Sequence, residues 1–218
     1  MKKMLLLGLL IVFLPTLVFA QEKVEAPVWN VGDKWTFTGN GTIEVVKAEQ
    51  SGYVLKFSEK KCLFEKQDFN AILLEKATFN RIYSVEGDKR KKYIMGLSKI
   101  LNFPLSTGKQ SKSGYSGRAV SSVGGFTRHL DYSETCNVMG WENVGVRAGQ
   151  FKAIRLEYRR KIVGATAIMG ANIGEEIINQ YWYSPDVEYF VKCQYDKDWM
   201  KGDKEIFSWE LTSFQVKK

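Results

Sequence analysis

Apolar and polar positions alternate with period two along most of this chain. Trp35 and Phe37 share one side of an extended stretch, with Thr36 and Thr38 on the other. Tyr53, Leu55 and Phe57 alternate with Val54, Lys56 and Ser58. Phe79, Arg81, Tyr83 and Val85 alternate with Asn80, Ile82 and Ser84, a stretch with apolar groups on both sides. Ile154, Leu156 and Tyr158 point one way while Arg155, Glu157 and Arg159 point the other, and Phe207, Trp209 and Leu211 repeat the pattern near the end. This is the signature of half-buried β-strands. Phe151 and Ala153 fall out of phase with Ile154, which predicts a bulge near Ala153.

The most strongly marked passage is Tyr181–Lys192, YWYSPDVEYFVK. It reads as two aromatic-rich strands joined by a Ser-Pro-Asp turn, continuing through an inward face of Val187, Tyr189, Val191, Cys193 and Tyr195. Asn40-Gly41 between extended runs predicts a two-residue hairpin, since both residues tolerate positive φ. Glu86-Gly87-Asp88 is a turn signal, and the basic run Lys89–Lys92 after it is expected at a hairpin tip. Phe126–Thr135 and Asn137–Val146 read as two further strands, Ser121–Gly125 as a mobile loop, and Gly164–Gly174 as an excursion between strands. Ile94, Leu97 and Leu101 have helical spacing, so one short helix near residues 93–101 stays open. About ten strands with short connections predict an all-β domain, either a single strongly curved antiparallel sheet or an open barrel.

The N-terminus adds a compartment. Lys2 and Lys3 precede an apolar run from Met4 to Leu14, Pro15 interrupts it, and Val18 and Ala20 fit the small-residue pattern of signal-peptide cleavage. A transmembrane anchor is the competing reading, but it needs about 20 apolar residues. Residues 1–20 are therefore expected to be a signal peptide. Residues 21–218 would form one exported domain, periplasmic or extracellular. The formal charge of +8 falls by two when Lys2 and Lys3 leave. This moderate positive balance suits solubility and transient contact with anionic envelope surfaces. A nucleic-acid partner is not expected for an exported chain.

Chemistry-bearing patterns are few. In an oxidising compartment Cys62, Cys136 and Cys193 allow one disulfide with one thiol left over, or three buried thiols. Their spacing matches no zinc site, and no cofactor is expected. The single histidine, His129, has Asp131, Ser133 and Glu134 nearby but no nucleophile-elbow pattern around it. Glu175 and Glu176 are sequence neighbours and would face opposite ways on a strand. Asp186, near Glu188, suits the Ser-Pro-Asp turn. No catalytic residue is assigned.

The aromatic residues remain: 13 Phe, 10 Tyr and 6 Trp. Trp35, Tyr83, Trp141, Trp182, Tyr189 and Trp209 are candidates to line a concave apolar surface, against the plainer reading that they fill a β-sheet core. The first reading predicts a non-enzymatic protein that binds a lipid, lipoprotein or other apolar ligand. The alternative is an envelope interaction module that meets an anionic polymer or a protein partner through Lys89–Lys92 and Arg155–Lys161. A hydrolase built on His129 is the third.

Four motifs occur in order: VGDKWTF at Val31–Phe37, LNFPLSTGK at Leu101–Lys109, VGVRAGQFKAIRLE at Val144–Glu157, and YWYSPDVEYFVK. Together they resemble a family of exported bacterial β-proteins of unknown function. Arg147 stands where that pattern has Pro, and Gln110 where it often has Trp. The resemblance implies a curved antiparallel sheet similar to those of periplasmic lipoprotein carriers, and by that analogy an apolar ligand. It brings no catalytic residues.

Overall fold

A computed structural model describes residues 22–39, 41–50, 52–58, 61–62, 65–66, 71–75, 81–86, 89–92, 101–120, 127–166, 176–195 and 208–217. All the regular structure there is β. In chain order the strands are β1 (Lys23–Val24), β2 (Lys34–Phe37), β3 (Gly41–Ala48), β4 (Gly52–Phe57), β5 (Lys61–Cys62), β6 (Glu65–Lys66), β7 (Ala71–Glu75) and β8 (Arg81–Glu86). They continue as β9 (Lys89–Lys92), β10 (Leu105–Ser106), β11 (Gln110–Val120), β12 (Thr127–Val146), β13 (Gly149–Thr166), β14 (Glu176–Ser184), β15 (Tyr189–Tyr195) and β16 (Trp209–Gln215).

Twelve strands make one open antiparallel sheet in the order β11-β12-β13-β14-β15-β16-β2-β3-β4-β7-β8-β9. It consists of two meanders. Residues 34–92 supply one and residues 110–215 the other, and the last strand joins them by pairing with β2, Leu211 opposite Phe37. The sheet curls. The β12–β13 turn reaches across β14 and β15 to β16, where the Ala148 N–H donates to the Leu211 carbonyl at 3.0 Å. Arg147 pairs with Glu210 at 2.9 Å and Phe151 meets Phe214 edge-on beside that bond.

The period-two pattern explains the core. Trp35, Phe37, Ile43, Val45, Leu55 and Phe57 face inward from β2–β4, and Leu156, Tyr181, Cys193, Trp209 and Leu211 from β13–β16. A small second layer covers this face. β1 pairs with β10, and Val24, Leu101, Phe103 and Leu105 are buried beneath it, Phe103 against the Tyr183 ring. The layer is clipped into a bulge of β12 between Val138 and Gly140. There Gly108 N–H donates to Val138 O, and Val138 N–H donates to Lys109 O. Gly140 has φ +152°, which L side chains rarely adopt.

Several local expectations change. The bulge lies in β12 rather than near Ala153, since β13 keeps unbroken register from Gly149 to Leu156. Phe126–Thr135 and Asn137–Val146 are not two strands, because one strand of 20 residues runs through Cys136. Phe37 pairs with Gly41, so the first hairpin has three intervening residues instead of an Asn-Gly pair. Lys89–Lys92 is not a hairpin tip but the whole of β9, at the edge of the sheet. Residues 93–100, where a short helix stayed open, lie outside the described residues, as do Ser121–Gly125 and residues 167–175. Cys136 and Cys193 are both buried, and Cys136 is a free thiol; the side chain of Cys62 lies outside the description.

Candidate functional site

The six aromatic candidates do not share one surface. Trp35, Tyr189 and Trp209 belong to a single packed cluster. Tyr189 stacks on Trp35 with centroids 4.9 Å apart, and Phe37 bridges to Trp209 at 4.8 Å and Tyr189 at 5.9 Å. Its centre is Trp29, whose ring lies 5.2 Å from Trp35, 5.1 Å from Tyr53 and 5.5 Å from Tyr189. Nothing in the polar lead-in before it marks Trp29 out in the sequence. The indole N–H of Trp35 donates to Val187 O at 2.7 Å, and that of Trp29 to Glu188 O at 2.9 Å. These bonds fix the Ser-Pro-Asp turn, whose Glu188 takes φ +56°.

Trp141 is half-buried at the rim of the core, with Lys152 Nζ 4.7 Å from its ring centroid. Trp182 lies on the opposite, outer face. Its register partners are Arg155 and Lys192, and Lys192 in turn pairs with Glu210. Its indole crosses β13 to donate to Glu142, which stands opposite Ala153. Ala153 is therefore covered from the outside, and only a small side chain leaves room for the indole. Lys192 Nζ, 5.1 Å from the ring centroid, closes over it. For Tyr83 only the backbone is described. It sits in the register row of Leu73 and Lys92, which alternates with the row of Leu55 and Ile72. His129 likewise has only a backbone place, in β12 opposite Arg118 and Thr166.

A different group converges where the inner face leaves the core. Cys136, Tyr158 and Asn179 are neighbours in register across β12, β13 and β14, and Glu134 and Arg160 form the next row. Glu134 is only 2 % exposed. Its carboxylate accepts the Tyr158 hydroxyl, the Arg160 Nε–H at 2.8 Å and, more loosely, Ser113 Oγ at 3.4 Å. The Arg160 guanidinium also lies over the Tyr132 and Tyr158 rings, at 5.6 and 5.8 Å. Beside Tyr158, Asn179 is 4 % exposed and its Oδ1 has no hydrogen-bond partner. Burial pushes the Cys136 thiol up to about 12, against a smaller opposing hydrogen bond from Ser111. A recess of about 10 Å³, room for a single water, lies beside Cys136 between Ser111, Val138 and the Asn102–Lys109 segment. The alternation Ile154–Leu156–Tyr158–Arg160 already places a charge on an inward position; that was the available signal for this cluster.

The basic stretch Arg155–Lys161 is largely neutralised. Arg155 meets Glu142 at 3.8 Å, Arg159 meets Glu157 at 2.7 Å and Glu176 at 3.4 Å, and Arg160 meets Glu134. Asp186 serves the turn, its N–H donating to Ser184 Oγ at 3.3 Å. Among the described residues no group of three or more His, Cys, Asp or Glu could hold a metal ion.

These features define an all-β protein with one open, curled antiparallel sheet and a buried polar cluster beside an aromatic core. No protein-family model and no curated protein matches the chain. Among solved structures it is similar to an exported protein with a YmcC-like fold from Bacteroides fragilis, at 13% identity and a TM-score of 0.38, over 88% of this chain and 99% of that one. The likeness is distant, and the family resemblance rests on the four motifs alone.

Proposed function

We propose that this is an exported, non-enzymatic binding protein that takes an apolar ligand on the inner face of its curled sheet. One observation carries the reading. Along β12–β14 the inner face passes without a break from apolar side chains (Val138, Leu156, Tyr181) to the polar set Glu134, Tyr158, Arg160 and Asn179. An apolar lining with a few placed polar groups is the usual make-up of a small-molecule site. The densely packed Trp35, Tyr189 and Trp209 then act as the wall behind the ligand rather than its contact surface. Export is supported by Lys2, Lys3, the Met4–Leu14 run and Ala20.

Native mass spectrometry and thermal shift with a panel of envelope lipids and long-chain alkyl compounds test the binding. Retained adducts with a raised Tm are expected, and no adduct from the panel removes the reading. Fractionation of expressing cells with N-terminal sequencing tests export, the expected mature start being Gln21.

A further inference from the structure

We propose that the cluster around Asn179 is a seat for an uncharged, hydroxyl-bearing head group. This rests on the binding reading above and names the part of the ligand that reading leaves open. Within the cluster, Tyr158 gives its one proton to Glu134, and Arg160 Nε–H also points to Glu134. The carboxylate and the guanidinium thus offset each other within this pair. An anionic head would have to compete with Glu134 for Arg160, and a cationic head with Arg160 for Glu134. Neither exchange favours binding, because breaking a buried pair leaves a desolvated charge behind.

What the cluster leaves unfilled is one acceptor. Asn179 Oδ1 is a buried acceptor without a partner, one strand from Tyr158 on the same face. Buried polar atoms are nearly always hydrogen-bonded, and Asn179 Oδ1, one of five such atoms without a partner among the described residues, is open to a group that is not part of the chain. A hydroxyl supplies the missing proton and can accept in return. Arg160 is the member that reaches solvent, its side chain 27 % exposed against 2 % for Glu134. It marks the side from which a head group enters.

The same chemistry is offered by a glycolipid-type head and by a free saccharide. Titration calorimetry on the mature protein with dodecyl maltoside below its micellar concentration, maltose and dodecanoate separates them. The expected result is binding of the maltoside at least tenfold tighter than dodecanoate, with maltose alone weak. Maltose binding as tight as the maltoside would leave the seat but identify its ligand as a free saccharide. Asn179→Leu fills the same space without a polar atom. It should lose the preference for the maltoside while its Tm stays level or rises, which a structural role for the amide would not allow. Equal binding of maltoside and dodecanoate to the native protein, or an unchanged preference in Asn179→Leu, overturns the seat while leaving the binding reading intact. No binding of either alkyl compound overturns both, and an ordered water as the sole partner of Asn179 Oδ1 in a crystal grown with the maltoside overturns the seat.

Discussion

Asp33 shows how one side chain of a turn motif can tie together stretches far apart in the sequence. It is fully buried, and each carboxylate oxygen accepts a backbone N–H, from Asn30 at 2.6 Å and from Lys217 at 2.8 Å. Lys217 Nζ returns to Val31 O at 2.6 Å, over Gly32 at φ +95°. Asp33→Ala leaves two backbone donors unsatisfied and should cost about 3 kcal/mol in a urea melt, hydrogen bonds to charged groups being worth roughly 1.5–3 kcal/mol each. Cys136 sets a second residue-scale expectation. Its folded value of about 12 lies above the ordinary thiol value of 9.0, because burial disfavours the thiolate. A group raised in the folded state contributes stability that is intact below its unfolded value and lost as pH climbs through the folded one. Burial also raises Tyr53 and Tyr183, so their contributions decline in the same direction. Urea midpoints should therefore fall from about pH 9 towards pH 12, with Cys136→Ala flattening the slope; the thiol's full share is roughly 4 kcal/mol. At pH 8, iodoacetamide should leave Cys136 unlabelled until the protein is unfolded.

At the scale of single elements, the period-two pattern made most strands legible, because burial on one face of a sheet imposes that period directly. The hairpin at Tyr181–Lys192 was readable from Pro185 and the flanking aromatics alone. Its bulge between Trp182 and Tyr183 was not. Ala153 was misread because its burial comes from Trp182 reaching over from two strands away from Glu142, and a local alternation carries no trace of a side chain that arrives across the sheet. The same holds for Asn179, whose orphan oxygen exists only once β13 and β14 are in register. Ala153→Leu should displace the indole, cost about 1–3 kcal/mol by overpacking, and red-shift the tryptophan emission as Trp182 gains water. β9 yields a different prediction. Edge strands expose unpaired backbone groups, and lysines there discourage pairing with another chain. Replacing Lys89–Lys92 with threonines should leave the far-UV spectrum unchanged and raise light scattering at the same concentration; no change in scattering would leave an envelope contact as the better account of this run.

Taken as a whole, the molecule has the first strand of its large sheet, β2, in the middle of that sheet and the last described strand, β16, beside it. Residues 34–92 and residues 110–215 each form a meander of neighbours, which is the simple part of the topology. Only the pair of β2 with β16 makes one sheet of them, across a separation from Phe37 to Leu211 that no local pattern announces. The chain is thus a clasp whose hook is made last. Until Trp209–Gln215 has been synthesised, Trp35 and Phe37 lack the neighbour that shuts them from water, and the aromatic cluster around Trp29 stays incomplete. Such late, long-range closure makes for slow folding. A chain ending at residue 207 should stay protease-sensitive throughout the 34–57 region, and adding a synthetic peptide of residues 208–218 should restore its resistance.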